Sequence, residues 1–469
     1  MFHKSLRFVV LMALFLGCQQ NSKISSNDFN VKGDFTTSPG WTSVFQTMTS
    51  DNETVINILR PRLAKMVYVV EEYVPGKEFK WEKQKTEKVI KTTEGPHIHW
   101  KVDRIHVKGL SPNKQYRLNV VNSWRKKAVD WRLFKTLDLN KKQARFIVGS
   151  CMSDSHAFEH VRSKIWDRML THDADFIMLL GDQVYVDDFD FVKRQKANEF
   201  DIWTRYIDSF RKIPLFQNRQ LIPILAVWDD HDYGTNNSDK NFKSKKAAKK
   251  IFQAFFGGEN IKDVYQVSTN GVSFSFNGFG QKFMMMDNRY NREPSKKAAF
   301  GQWGKAQHQW FKKQISQSQG PIWLANGGQF FTKATVITKK NGKKKQINET
   351  FVDDHPEHFK TLLSDLKTVK QPALFLSGDI HYSEIVGIEK EVLGYQTYEI
   401  TSSPIHSYIF RSKKGPESWL DNPRRILSVK EHNYVVVESK IDNGVKINAK
   451  SFGVGKSAPL FNKDLMVTK

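Results

Sequence analysis

Up to about residue 140, apolar residues alternate with polar ones in short runs; beyond it they gather in compact blocks separated by helical periods. VINILRP (55–61), AKMVYVVEEY (64–73), HIHWKVDRIHV (97–107) and QYRLNVVNSW (115–124) carry the first pattern. These segments read as short strands separated by turns, and FKTL (134–137) as one more strand after them. The second pattern is that of an α/β fold. RFIV, DFIMLL, IPILAV and ALFLS are apolar through their centres, as buried strands are. Helical spacing predicts helices over 158–172, 200–211, 245–256, 302–316 and 355–366. In the fourth of these, Trp303, Ala306, Trp310 and Phe311 read as core. Further strands are expected in QKFMMMD, PIWLANG, YQTYEIT, NYVVVES and KINAKSF, with tight hairpins at Asn270-Gly271 and Asn443-Gly444.

Each of the four compact runs ends on a loop rich in donor side chains: GSC (149–151), GDQVY (181–185), WDDHDYGTNN (228–237) and GDIHYSE (378–384). Four such loops imply that several strand ends converge on one pocket. Hard oxygen donors with imidazole and thiol are the parts of a multi-metal site. Asp182 has two oxygens with which to bridge cations, and Tyr185 offers a phenolate. Asp230 is a candidate ligand, and Asn236 or Asn237 a neutral oxygen donor. His231 is suited to protonate a leaving oxygen or hold a phosphoryl group, with Asp232 expected to orient and charge it. Asp379 and His381, two apart on an extended chain, project on one side as a clamp. Arg289, in DNR (287–289), is a phosphate fork or a structural ion pair. HIH (97–99) reads as ordinary strand, and FGVGKS (452–457) lacks the first glycine of a phosphate loop.

Composition adds a destination and a charge. Lys4 and Arg7 precede the apolar stretch 8–16, too short to span a bilayer comfortably, and LFLGC (14–18) fits a lipobox. The likeness to lipoprotein signals implies cleavage of 1–17 and lipidation of Cys18; a plain secretory leader is the alternative. Gln19 in place of Asp implies the outer membrane, with the exported protein facing the periplasm or the cell surface. The Ser/Asn-rich stretch 18–40 suits a tether. With Cys18 lipidated, Cys151 has no disulfide partner, which invites a ligand or reactive role. The formal charge is +24, and losing Lys4 and Arg7 from that leaves +22. Such a balance attracts phosphate esters, nucleic acid and lipopolysaccharide alike. KSKKAAKK (243–250) reads as a solvated helix face and KKNGKKK (339–345) as a hairpin tip turning at Asn341-Gly342; a substrate-attracting rim is the other reading of each.

On these motifs, with DNR, GKAQHQW (304–310) and TSSP (401–404), the chain resembles the alkaline phosphatase D family of calcineurin-like metallophosphoesterases. VKGLSPNKQYRLNV (107–120) resembles fibronectin type III modules, with Leu110, Pro112 and Tyr116 at the expected places. The resemblance implies an α/β fold, a four-layer αββα metallophosphoesterase sandwich over 141–469 behind a fibronectin III-like β-sandwich over 41–140. It implies Fe(III) held by Cys151, Asp182, Tyr185 and His381, and Ca(II), or another divalent ion, served by Asp182, Asp230, an Asn and Asp379. DDHDYGTNN is one residue longer than the family's DDHE-x-x-NN, and Asn236 is preferred over Asn237. The expected reaction is phosphomonoester or phosphodiester hydrolysis, a metal-activated hydroxide attacking phosphorus while His231 assists the leaving alcohol. Competing readings are a phospholipase D-like or polymer-directed phosphodiesterase, and a non-enzymatic lipoprotein that binds polyanions. Specific nucleic-acid binding is not expected.

Overall fold

Alternation in the first part of the chain yields β1 (Ser43–Thr49), β2 (Glu53–Pro61), β3 (Met66–Val74), β4 (Lys80–Lys83), β5 (Glu87–Thr93), β6 (Trp100–Lys108), β7 (Gln115–Asn122) and β8 (Lys127–Lys135). They pair antiparallel in two four-stranded sheets, β1-β2-β6-β5 and β4-β3-β7-β8. Val44, Ile56, Ile58, Ile105 and Val107 of the first sheet share a core with Tyr68, Val70, Leu118, Val120 and Phe134 of the second. The computed structural model describes residues 42–74, 80–84, 86–188, 197–334, 336–338, 341–346, 348–410, 422–455 and 457–469. The expected leader, Cys18 and the tether lie outside those residues. Two local expectations change. The stretch 97–99 bends before β6 starts, leaving Ile98 69% exposed, and FKTL catches only the end of β8.

The rest of the chain adds β9 (Gln143–Gly149), β10 (Phe176–Leu180), β11 (Ile224–Val227), β12 (Tyr265–Val267), β13 (Phe274–Gly278), β14 (Gln281–Met285) and β15 (Ile322–Ala325). A hairpin of β16 (Val336–Thr338) and β17 (Lys344–Gln346) follows, turning through Gly342. Then come β18 (Ala373–Ser377), β19 (Ser383–Ile388), β20 (Thr397–Thr401), β21 (Arg425–Val429), β22 (Asn433–Ile441), β23 (Val445–Gly453) and β24 (Phe461–Val467). The longer helices are α1 (Glu159–Met169), α2 (Glu199–Lys212), α3 (Lys245–Phe255), α4 (Gly304–Ser316) and α5 (Pro356–Thr368), all close to their expected positions. In α2, Asn198 and Asp201 form a reciprocal capping box that fixes where the helix starts.

Two large mixed sheets result, a six-stranded β11-β10-β9-β22-β23-β24 and an eight-stranded β12-β13-β14-β15-β18-β20-β19-β21. Alternate residues of the central strands go to opposite faces, and both faces are covered. Phe146, Val148, Met178 and Leu180 join a core with Phe283, Trp323 and Phe375 of the other sheet; Phe146 meets Phe283 and Trp323 edge-on at 5.5 and 5.3 Å. Ile147, Ile177 and Leu179 instead pack with Ile165 and Trp166 of α1 and with Phe210 of α2. Behind the eight-stranded sheet, Phe311 and Ile315 of α4 and Leu362 and Leu366 of α5 close the core. Each such burial stabilises by roughly 1.5–3 kcal/mol. Ala306 is exposed, and Gln307 and His308 take the inward face of α4. The protein is thus a mixed α/β fold whose compact apolar runs are compact because water touches neither side.

Candidate metal centre

Strands β9, β10 and β11 are parallel in one sheet, and β14, β15, β18 and β20 in the other, so within each set the exits face one way. Ligand loops of open α/β sheets collect at such ends. The two sets of exits are stitched together. Ile405 N–H donates to the Ser150 carbonyl at 2.9 Å, and Ser150 Oγ donates to the Ser402 carbonyl at 2.9 Å. Gly378 sits in this seam. A Cβ there would stand 2.6 Å from Ser150 Cβ and 2.7 Å from the Leu180 carbonyl, so a side chain would force the sheets apart. Beyond the strand ends the backbone turns sharply: Cys151, Asp182, Asn237, Asp379 and His381 all have φ between +56° and +69°.

One donor atom from each of Cys151, Asp182 and His381 lies within 4.8 Å of the other two. The same holds for Asp182, Asp230 and His231, and for Asp229, Asp230 and Asp379. Shared members make these three groups adjoin. Cys151 Sγ is 3.5 Å from Asp182 Oδ2, and the Tyr185 hydroxyl stands 3.5 Å from that same oxygen. Asp379 and His381 are not on extended chain; their left-handed backbone sends them to different groups rather than to one clamp. Burial, with neighbouring aspartates adding to it, pushes the Asp182 and Asp379 carboxyls and the Cys151 thiol well above their ordinary values. Burial also raises the Tyr185 phenol. At Asp230 burial works the same way but loses. The charges of His231 and Arg289 and the N–H groups of Asn237 and His231 hold that carboxyl below its usual range. The His381 imidazole is pushed down to about 4, chiefly by burial, and so stays neutral and able to ligate. Asp229 Oδ2 is buried with no partner among the described residues. The raised carboxyls of Asp182 and Asp379 are short of counter-charge, which cations bound there would supply.

His231 differs from its expected arrangement. Its Nδ1 lies 2.6 Å from Asp187 Oδ1, whereas the Asp232 carboxylate accepts the N–H groups of Asp182, Val184 and Asp229 at 2.6, 2.8 and 3.0 Å. His231 and Asp232 are consecutive on the helical turn Asp230–Tyr233, where neighbouring side chains diverge. Asp187 therefore does the orienting and Asp232 clamps backbone. Burial alone would depress the imidazole, but Asp230, Asp182 and Asp187 raise it well above its ordinary value. Arg289 takes the ion-pair reading. Its Nε binds Asp229 Oδ1, its Nη1 binds Glu349 at 2.6 Å, and Nη2 stays 3.9 Å from Asp230. Of the two asparagines, Asn237 touches the cluster, its N–H donating to Asp230 Oδ2 at 2.7 Å, while the N–H of Asn236, the preferred one, goes to Asp187 at 2.9 Å.

Three further residues were not singled out from the sequence. Asp229 was visible in WDDH but hidden beside Asp230. Ser403, within TSSP, donates to Cys151 Sγ at 3.2 Å and accepts the His381 N–H at 3.0 Å, bracing two exits at once. Ser407 Oγ lies 2.9 Å from the Tyr185 hydroxyl. No sequence signal marks Ser403 or Ser407 as anything but loop serines.

A family model described as PhoD-like phosphatase matches residues 146–451. The solved structure "Structure of PhoD" is similar with a TM-score of 0.65 at 18% identity, covering 90% of this chain and 88% of that one. At that identity the likeness speaks for the fold. No curated protein matches the chain.

Proposed function

The chain belongs to the PhoD-like phosphatase family, and from that premise we propose that it is a metallophosphoesterase acting on phosphate monoesters or diesters. One observation carries the reading: Cys151, Asp182, Asp230, Asp379 and His381, from loops of two different sheets, bring donor atoms within ligand range of their neighbours. The donor chemistry fits cations. Three buried aspartates and the half-buried Asp379 crowd together, one of their oxygens has no partner among the described residues, and a neutral imidazole and a thiol stand beside them. We assign Cys151, Asp182, Tyr185 and His381 to Fe(III), and Asp182, Asp230 and Asp379 with Asn236 or Asn237 to Ca(II) or another divalent ion. Bound there, the cations would lend Lewis-acid charge to the phosphoryl oxygens and to the attacking water.

The remaining work falls to the chain. With Nδ1 of His231 engaged by the Asp187 carboxylate, Nε2 is left to serve the substrate. Asp187 and the neighbouring aspartates bias that imidazole toward its charged form, which suits it to protonate a departing alkoxide. Asp232 and Ser403 keep the loops in register, and Arg289 restrains Asp229. Incubation with a chelator, or Asp182→Asn, is expected to abolish hydrolysis of an aryl phosphate, and elemental analysis of the untreated protein to find iron with calcium. Full activity after both treatments would sink the proposal. Turnover of aryl monoester, aryl diester and phospholipid compared side by side ranks the substrate classes.

The same reading extends to architecture and location. A four-layer αββα sandwich over 141–469 is supported by helices packed behind both large sheets. A fibronectin III-like module over 41–140 is supported by the two opposed sheets and by the Tyr116 hydroxyl, which accepts the Ser111 N–H at 2.8 Å. The LFLGC leader supports a lipid anchor at Cys18 in the outer membrane, periplasm- or surface-facing. Cys18→Ser should then shift the protein from the membrane to the soluble fraction on fractionation; unchanged membrane retention argues against the anchor.

A further inference from the structure

The elements that end at the metal cluster begin at a second cleft. A cavity of about 870 Å³ is lined by the segments that lead into β9, β14, β15 and β18, together with the hairpin between β22 and β23. Lys282 stands five residues before Asp287, which at about 3.3 Å per residue sets it roughly 16 Å from the site end of that strand. The cleft has its own charge. Lys142, Lys282, Lys370 and Lys469 line it, against Asp51 and Asp263. Three of these lysines sit in exposed positions, and Lys469 is already bonded to the Val369 carbonyl.

Lys282 is different. It lies in β14, is only 4% exposed, and has no ion-pair or hydrogen-bond partner for its ammonium among the described residues. Its stem is buried while its ammonium reaches the cleft wall, where no carboxylate of the described residues is paired with it, so the positive charge is offered to an anion entering the cleft. Burial pushes its pKa down to about 8, the direction expected of a cation short of an anion. The volume falls within the range of small-molecule sites and exceeds what a single phosphate ion fills.

We propose that this cleft is a second binding site, for a phosphate-bearing small molecule, built around Lys282 at the opposite end of the strands from the metal cluster. It stands independently of the hydrolase reading, because it needs neither the metals nor turnover. The site takes its anion through the Lys282 ammonium, with Lys142 and Lys370 at the mouth adding long-range attraction.

The test maps lysine acylation of the full-length protein near pH 8 by mass spectrometry, with inorganic phosphate or inorganic pyrophosphate as the probe. Pyrophosphate is expected to protect Lys282 roughly tenfold while leaving lysines of α3 unchanged. Stronger protection by pyrophosphate than by phosphate points to a larger phosphorylated ligand, and equal protection to the free ion. A second measurement uses calorimetry on chelator-treated Asp182→Asn protein, so that the metal cluster does not contribute. Lys282→Met should lose the pyrophosphate heat and Lys282→Arg should retain it, each with an unaltered melting temperature. Unchanged labelling with both anions, or undiminished heat in a folded Lys282→Met chain, would overturn the site.

Discussion

Five of the ten non-glycine residues with left-handed backbone among those described are Cys151, Asp182, Asn237, Asp379 and His381. Each such conformation costs on the order of 1–3 kcal/mol, so the surrounding packing must impose it. The donors are therefore held before any ligand arrives. The motifs exposed most of these donors because thiol, phenol, imidazole and carboxylate seldom follow four buried strands by accident. Their second partners were not legible. Asp187 lies two residues beyond Tyr185 in a loop whose return path no local pattern encodes, while Asp232 drew attention merely by adjacency. The two acids should part under mutation. Asp187→Asn removes a negative charge from His231 and lowers its pKa. The alkaline limb of kcat/KM should move to lower pH, with kcat down roughly tenfold to a hundredfold. Asp232→Asn instead replaces one accepting oxygen with an NH2 group, leaving one or two of three buried N–H groups without an acceptor, and should cost about 1–3 kcal/mol of stability. Unshifted pH limbs in Asp187→Asn would deny it the orienting role.

Between elements, Glu399 of β20 ties three exits together. It accepts the N–H groups of Phe330 and Phe331, at 2.8 and 2.9 Å, and the Ser377 hydroxyl at 2.7 Å. Burial raises its pKa from 4.5 to about 7. The native state thus keeps a proton that the unfolded chain releases above about pH 4.5, and stability falls as pH rises from there to about 7. Roughly 3 kcal/mol is at stake across that window. Denaturant melts of wild type and Glu399→Gln should diverge in slope between those limits; parallel curves would remove Glu399 from the account. Elements with apolar runs were legible, down to helix ends within a few residues. Strand β1 was not, because Gln46, Thr47 and Thr49 are wholly buried and held by side-chain hydrogen bonds, among them Gln46 Nε2 to Thr54 at 3.1 Å. A hydrophobic pattern cannot register a buried strand made of polar residues. The same blindness hid most of β8, whose Asp130 and Arg132 form a buried ion pair.

For the molecule as a whole, the net charge of +24 coexists with a tight pocket of acids, so overall attraction to anions and local demand for cations are served at different depths. Stripping the metals should leave those acids facing one another and lower the melting temperature by several degrees, with recovery on adding the removed cations back. An unchanged melt would mean that protonation alone satisfies the pocket. The split parentage of the pocket also sets an order of events. Cys151, Asp182 and Asp230 come from one sheet; Asp379 and His381 come from the other, more than 140 residues further along the chain from Asp230. A nascent or prematurely terminated polypeptide thus owns half a socket and can grip no ion securely. Cation loading is consequently a late act of maturation, reserved for copies whose two halves have already closed against each other.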